Sequence, residues 1–453
     1  FFCYFVDVII KWGKNNMQTK TKLSKNEIIA QFKSGCKPQS EHCIGIEYER
    51  LPIFNSTCKA VDYGAENGVC NFLRNFAKNE NWDYITDDYN IIGLKQMHDT
   101  ITLEPGSQVE LSIKPEKTIA ELKNKIDKLN KQMAPILEKF GISLLNYGIS
   151  PLSTNKSINL IPKTRYHIMA KYLWGILSDV MMRETAGIQC CIDFESEEDA
   201  MNKFRIANKL TPFMTAMFAN SPIRGGVETG YKSFRALSWL NTDNDRCGFV
   251  GQIDNKFSFE EYVDYVLETP MIFINRNDNA LVLNGKITFD EFMQNGYKDY
   301  DAEMEDFKLH ANLYFPEVRL RNFIEIRNHD CVGDGLQYSI LAIYKGILYN
   351  NFAMSEIEEL FKDFEYRDFS ELRYNVPKSA MNAKIGKFYV KDIAKEILYI
   401  AEKSLIEQDL GEEIFLEPIK DFTSNGICPA DIILRNWDGI WNKDVRKLVR
   451  KLN

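Results

Sequence analysis

Glutamate is disfavoured in β-strands, and one that faces inward needs a partner, yet three strand-like segments of this chain carry such residues. In the segment 43–50 (CIGIEYER), period-two alternation puts Glu47 and Glu49 on one face and Ile44, Ile46 and Tyr48 on the other. Glu104 and Glu110 flank a Pro-Gly turn in ITLEPGSQVELSI (101–113). In FIEIR (323–327), Glu325 and Arg327 share one face, backed by Ile324 and Ile326. Taken singly, each pair reads equally well as cross-strand ion pairing on a solvated face. Taken together, five glutamates with few balancing bases repel one another unless divalent cations hold them, and all-oxygen ligation suits Mg²⁺ or Mn²⁺. Mg²⁺ usually leaves sites for phosphate oxygens, so these residues point to metal-assisted phosphoryl chemistry. Neither GxxxxGK[ST] nor GxGxxG occurs, which excludes the commonest phosphate cradles.

The elements that must position these residues mix strands and amphipathic helices without a regular βαβ rhythm, which predicts an α+β fold with a mainly antiparallel sheet. Strands are expected near 43–50, 101–113, 187–194 and 323–327. Ile119, Leu122, Ile126, Leu129, Met133, Ile136 and Phe140 form one apolar stripe, predicting a helix over 117–140 that is kinked near Pro135 and closed by Gly141. A capping-box pattern starts a second helix at Ser196, and a third is expected after Pro212; later helices are expected at 355–365, 391–407 and 429–452.

With 45% apolar and 12% aromatic residues in 453, the chain has ample material for a packed core rather than disorder. Its net charge of −8 argues against nucleic acid as a partner. Ten scattered cysteines without CxxC read as free thiols of a reducing compartment, and five dispersed histidines without HExxH exclude the usual zinc sites. The apolar start FFCYFVDVII is too short to span a bilayer, so no membrane association is expected. Residues 1–16 read as an N-terminal extension, either outside the fold or packed on it, and 17–453 as a single catalytic domain with a helical C-terminal part. The expected location is the cytoplasm.

An ordered set of motifs then becomes specific. GIEYER (45–50), TLEPGSQVELS (102–112), PKTRYHIM (162–169), DVMMRETAGIQCCIDF (179–194), FRIANKLTPFMTAMFANSP (204–222), SFRALSWLNTDNDRCG (233–248), EEYVDYVLETPM (260–271) and FPEVRLRNFIEIR (315–327) resemble the plant and proteobacterial type of glutamate-cysteine ligase, over roughly residues 40–350. The resemblance implies a glutamine synthetase-like fold: a curved, mainly antiparallel sheet that forms a funnel flanked by helices. It also implies the first step toward glutathione, in which ATP activates the γ-carboxylate of L-glutamate as an acyl phosphate that the amine of L-cysteine attacks.

On the matching positions, the resemblance implies that Glu47, Glu49, Glu104, Glu110 and Glu325 hold Mg²⁺ ions bridging ATP and the γ-carboxylate, with Gln189 reaching the same site. Arg327 would neutralise charge on the transferred phosphoryl group. Arg183, Thr185, Arg235, Trp239 and Arg165 match substrate-side positions, Arg235 gripping a glutamate carboxylate and Trp239 walling its aliphatic part. Arg183 capping a helix and Trp239 in the core are the structural alternatives. Tyr166 and Arg246 fall in motif blocks without an assignable role, and the loop Ser221–Gly226 reads either as a cover over substrate or as a surface turn. The partners are small molecules acting on a monomer or homodimer. Three departures stand out: Gln189-Cys190-Cys191-Ile192-Asp193-Phe194 replaces the usual QVNLDF, Ser107 replaces a glycine, and Ala236-Leu237-Ser238 precedes Trp239 in place of the usual residues. They leave the acceptor amine open. The alternatives are a ligase using glutamate with another amine and a non-catalytic nucleotide or glutamate binder.

Overall fold

A computed structural model describes residues 22–251, 257–277 and 279–452. The expected extension over 1–16 lies outside the described residues. Nine strands form the main sheet: β1 (Ile44–Phe54), β2 (Asp83–Asp87), β3 (Asn90–Gln96), β4 (Asp99–Leu103), β5 (Val109–Glu116), β6 (Ile142–Leu145), β7 (Gly187–Ile192), β8 (Val318–Leu320) and β9 (Ile324–Asp330). Their order is β8-β9-β7-β1-β5-β4-β3-β2, with β6 paired to the far end of β1. Every pair is antiparallel. The expected antiparallel α+β architecture is therefore observed.

Alternation decides which face is dry. Ile44, Ile46, Tyr48, Leu111, Ile113, Ile188, Cys190, Ile192, Ile324 and Ile326 are all buried on the helix side. The helices needed below are α1 (Ile119–Phe140), α2 (Thr164–Tyr172), α3 (Ser178–Glu184), α4 (Glu197–Met217), α5 (Phe234–Leu240), α6 (Leu336–Leu348), α7 (Tyr366–Ser379) and α8 (Val390–Gln408). Helix α1 packs on β5, α6 on β7 and β1, and α4 on β9.

The predicted α1 appears with its apolar stripe buried, a Thr118 and Glu121 capping box at its start and Gly141 in the left-handed region (φ 65°) at its end. Two helix readings are corrected. Helix α4 runs through Pro212 rather than restarting after it, because tertiary packing buries that residue among apolar neighbours. The expected helix over 429–452 is two helices, Pro429–Asp438 and Val445–Leu452, divided at Gly439. Helix α6 has no amphipathic stripe to read, since twelve of its thirteen residues are buried.

Candidate active site

Strand β1 lies between β5 and β7, so its charged face gathers residues from both. Glu49 stands opposite Glu110 of β5, and Glu47 stands between Ser112 of β5 and Gln189 of β7. Farther across the sheet, Cys191 of β7 pairs with Glu325 of β9, and Glu325 with Arg319 of β8. Glu104 begins the turn between β4 and β5, where the Ser107 N–H donates to the Glu104 carbonyl (2.9 Å).

Each carboxylate has a different local solution. Glu49 accepts from the Gln189 amide and from the Gly187 N–H, both at 2.6 Å. Glu110 accepts from the hydroxyls of Thr102 (2.8 Å) and Ser112 (3.0 Å), and Glu104 from Tyr166 (3.2 Å). None of these donors is a cation. Burial and the Glu325 charge accordingly push the Glu47 carboxyl up to about 7, against the pull of Arg321, Arg327 and Arg319. Burial and Glu104 raise Glu49, while burial with Glu47, Glu104 and Glu49 raises Glu110 well above the usual range. This is a carboxylate floor short of positive charge.

Glu325 is the exception. It is completely buried, yet Arg319 donates to both its oxygens (2.8 and 2.9 Å), Arg321 lies 3.4 Å away and Arg327 pairs with it directly. Burial alone would raise its carboxyl; the three guanidiniums hold it well below the carboxylate range. Both oxygens of Glu325, an expected metal ligand, are engaged by arginine in this arrangement. Arg319 and Arg321 carried no assigned role in the sequence, although alternation in PEVRLR places them on one face and a tight return at 321–323 brings Arg319 opposite Glu325.

Arg235, on α5, is buried against the bare backbone of Gly187, where a Cβ would overlap its guanidinium. Its Nη2 donates to the Arg327 carbonyl (3.0 Å), while its Nε is buried without a partner. Asp330 organises the approach: it accepts from the Asn220 N–H, the Ser221 hydroxyl and the Ser233 hydroxyl at 2.7 to 2.8 Å, and Ser233 caps α5. Trp239 is half-buried under both guanidiniums, with Arg235 and Arg327 each 6.0 Å from its ring centroid, and its indole N–H has no partner.

The other expected residues surround the 104–107 turn. Gly106 packs on the Arg183 carbonyl, and Gln108 donates to the Thr185 carbonyl (2.8 Å). Arg183 itself binds Asp179 (2.5 Å) and the Ile158 carbonyl (2.7 Å), and the Thr185 hydroxyl donates back to Met181 (2.6 Å), so both side chains are held by local structure. Arg165 has a buried Nε without a partner beside Tyr166. Arg246 is buried in a network with Asp243, Tyr172 and the Leu313 and Pro270 carbonyls, a structural role. Ser221–Gly226 belongs to a short hairpin, Ile223–Arg224 with Val227–Glu228, pinned by Arg224 on buried Glu184 (2.6 Å). Cys191 is buried on the charged face; its thiol is pushed well up by burial, Glu47 and Glu325, which keeps it protonated.

Among the described residues, no three His, Cys, Asp or Glu side chains already converge on one point as a metal cage, and no helix is long and apolar enough to cross a membrane. Nine cysteines are free thiols in the described residues.

Residues 43–451 match the family described as Glutamate-cysteine ligase family 2. Similar curated proteins include glutamate–cysteine ligase B, chloroplastic, of Oryza sativa subsp. japonica, 33% identical over 442 residues (96% of this chain, 88% of the relative). The Arabidopsis thaliana chloroplastic glutamate–cysteine ligase is 31% identical over 436 residues (95% of this chain, 83% of the relative). In structure, the chain is similar to the Francisella tularensis glutamate–cysteine ligase solved in complex with AMP, with a TM-score of 0.55 at 15% identity, covering 91% of this chain and 88% of that one. The relatives from rice, tobacco and Arabidopsis are named chloroplastic, which runs against the cytoplasmic expectation.

Proposed function

The chain belongs to glutamate-cysteine ligase family 2, and from that premise we propose how its residues divide the work of ATP-dependent γ-glutamylcysteine synthesis. The γ-carboxylate of L-glutamate attacks the γ-phosphorus of ATP and ADP leaves. The amine of L-cysteine then attacks the carbonyl of the resulting acyl phosphate, the amide forms, and phosphate departs as the amine gives up a proton.

The carboxylate floor carries this reading. Glu47, Glu49, Glu104 and Glu110 offer only oxygen donors, and three of them are pushed up by burial and by neighbouring carboxylates. That donor chemistry fits Mg²⁺, which these four residues would hold beside ATP. When bound, Mg²⁺ supplies charge neutralisation at the phosphates. Gln189 holds Glu49 in its orientation through their hydrogen bond. Arg327, fixed by Glu325, stabilises charge on the transferred phosphoryl group. Arg235 receives a carboxylate of glutamate on its unpartnered Nε edge, with Trp239 as the wall beside it. Arg165 is the further cation available to an anionic ligand. Residues 17–453 act as one catalytic unit, as a monomer or homodimer.

The test is ADP release in the presence of ATP, Mg²⁺ and glutamate, with cysteine present, omitted or replaced by other amines, and the product identified by mass. Cysteine-dependent ADP release with γ-glutamylcysteine as product is expected. A different preferred amine, or no amine dependence, would overturn the assignment.

A further inference from the structure

A second cleft lies apart from the carboxylate floor, where α4 packs against the helix Asn351–Leu360 beyond the end of β7. Its volume of about 600 Å³ is that of a small-molecule site. Five carboxylates line it against two bases: Glu195, Glu198 and Asp199 around the start of α4, and Glu358 and Glu359 on the facing helix. Both bases are already committed. Lys203 donates to Asp199 (2.8 Å) and to the Asp193 carbonyl (3.1 Å), and Arg205 pairs with Glu358 (3.2 Å). The Glu195 and Glu198 side chains are exposed and pair with no described cation.

Beneath the acidic rim the cleft holds an unsatisfied acceptor. His42 lines it and is 8% exposed. Its Nε2 lies 3.0 Å from the Lys37 carbonyl and must donate there, so Nδ1 carries the lone pair, and that atom is buried without a partner. The ring is held against Tyr349, with centroids 5.2 Å apart. A buried lone pair in the wall of a cleft calls for an N–H or O–H from the occupant. Between the polar groups, Ile206, Leu348 and Met354 add an apolar stretch.

These features select a class of ligand. The excess of carboxylates repels an anion. A metal ion would leave the apolar stretch unused, and among the described residues no three His, Cys, Asp or Glu side chains converge to hold one. Ammonium groups separated by methylenes match the carboxylates, the orphan acceptor and the apolar stretch together.

We propose that this cleft binds an aliphatic polyamine, one ammonium donating to His42 Nδ1 and others resting against Glu195 and Glu198. The proposal goes beyond the ligase reading and does not depend on it. The cleft is tied to the catalytic strands through Asp193, whose carboxylate accepts from the Cys43 N–H (2.7 Å) and pairs with Lys37 (2.8 Å), while Tyr349 accepts from the Asp193 N–H (2.7 Å) and donates to the Cys43 carbonyl (2.6 Å). An occupant therefore braces the start of β1 against the end of β7, the strands that carry Glu47, Glu49 and Gln189.

The probe is spermidine, titrated calorimetrically into the whole protein without Mg²⁺ or ATP. One saturable site is expected, with an affinity that falls as NaCl is raised. Combining Glu195→Gln with Glu198→Gln, both at exposed positions, should weaken binding about 3- to 10-fold while melting of the free protein stays unchanged. His42→Phe keeps an aromatic ring against Tyr349 but removes the acceptor, and should weaken binding about 10-fold or more. If His42→Phe does not fold, the glutamate pair decides. Glu49→Gln, on the catalytic floor, should leave the spermidine affinity within about twofold. Absence of saturable binding, or unchanged affinity in the double variant, overturns the proposal. So does a loss of affinity in Glu49→Gln that matches the double variant's, because it would put the polyamine on the catalytic carboxylates.

Discussion

Arg319 and Glu325 face each other across the tight return that joins β8 to β9, and the guanidinium holds both carboxylate oxygens at 2.8 and 2.9 Å. Arg327 and Arg321 share the same carboxylate, so one buried anion fixes three cations beside the glutamate floor.

Glu325→Gln removes that anion and leaves buried guanidiniums uncompensated, a change that costs about 3–5 kcal/mol when a buried pair is broken. Thermal unfolding should fall clearly, and turnover should drop at least about 10²-fold because Arg327 loses its anchor. Because the folded carboxyl of Glu325 sits below its usual value of 4.5, its stabilisation is present above that value and is lost as pH falls below it. A variant with wild-type melting and turnover would remove Glu325 from this role.

The Glu47 carboxyl behaves oppositely. Its folded value of about 7 lies above the usual carboxyl value of 4.5, so its contribution is fully present below pH 4.5 and is lost as pH rises through 7. Melting without divalent ions should weaken across that window. Mg²⁺ should restore stability more at pH 8 than at pH 5.5, since the ion competes with the proton. Equal Mg²⁺ effects at both pH values would contradict the site.

Arg235 and Gly187 form a second pair whose contact is testable. Arg235→Lys loses the bidentate fork, and Gly187→Ala puts a methyl group where the guanidinium lies. Both variants should raise the KM for glutamate, by roughly 10-fold or more, with ATP affected much less. An unchanged glutamate requirement in both would make Arg235 structural.

Ser107 sits at φ 75°, where a glycine carries no Cβ penalty, and its hydroxyl is buried without a partner. Ser107→Gly should therefore stabilise the protein by about 1 kcal/mol, read as a higher melting temperature. Lower stability would show that the serine is compensated elsewhere.

The legible parts of the sequence were those where period-two alternation or a cap acts locally. The faces of residues 44–49, 109–113 and 323–327, the stripe of α1 and the Ser196 cap of α4 all follow from neighbouring residues. Pro212 misled because burial holds it inside a helix, and α6 was missed because a helix buried on all sides has no polar face to set its phase. The site divided the same way. The shared face of Glu47 and Glu49 was readable, whereas the capture of Glu325 by Arg319 depends on strand register. The pairing of Arg373 with Glu317, 56 residues earlier in the chain, depends on tertiary packing, which no local pattern encodes.

The central claim is that this floor of glutamates and arginines transfers a phosphoryl group to the γ-carboxylate of glutamate before the amine attacks. Glutamate labelled with ¹⁸O in that carboxylate tests it directly. One ¹⁸O atom should pass into inorganic phosphate for each γ-glutamylcysteine formed in the presence of ATP, Mg²⁺ and cysteine, because the acyl-phosphate oxygen leaves with the phosphorus. Product formation accompanied by unlabelled phosphate would contradict the acyl-phosphate route and the role given to the site.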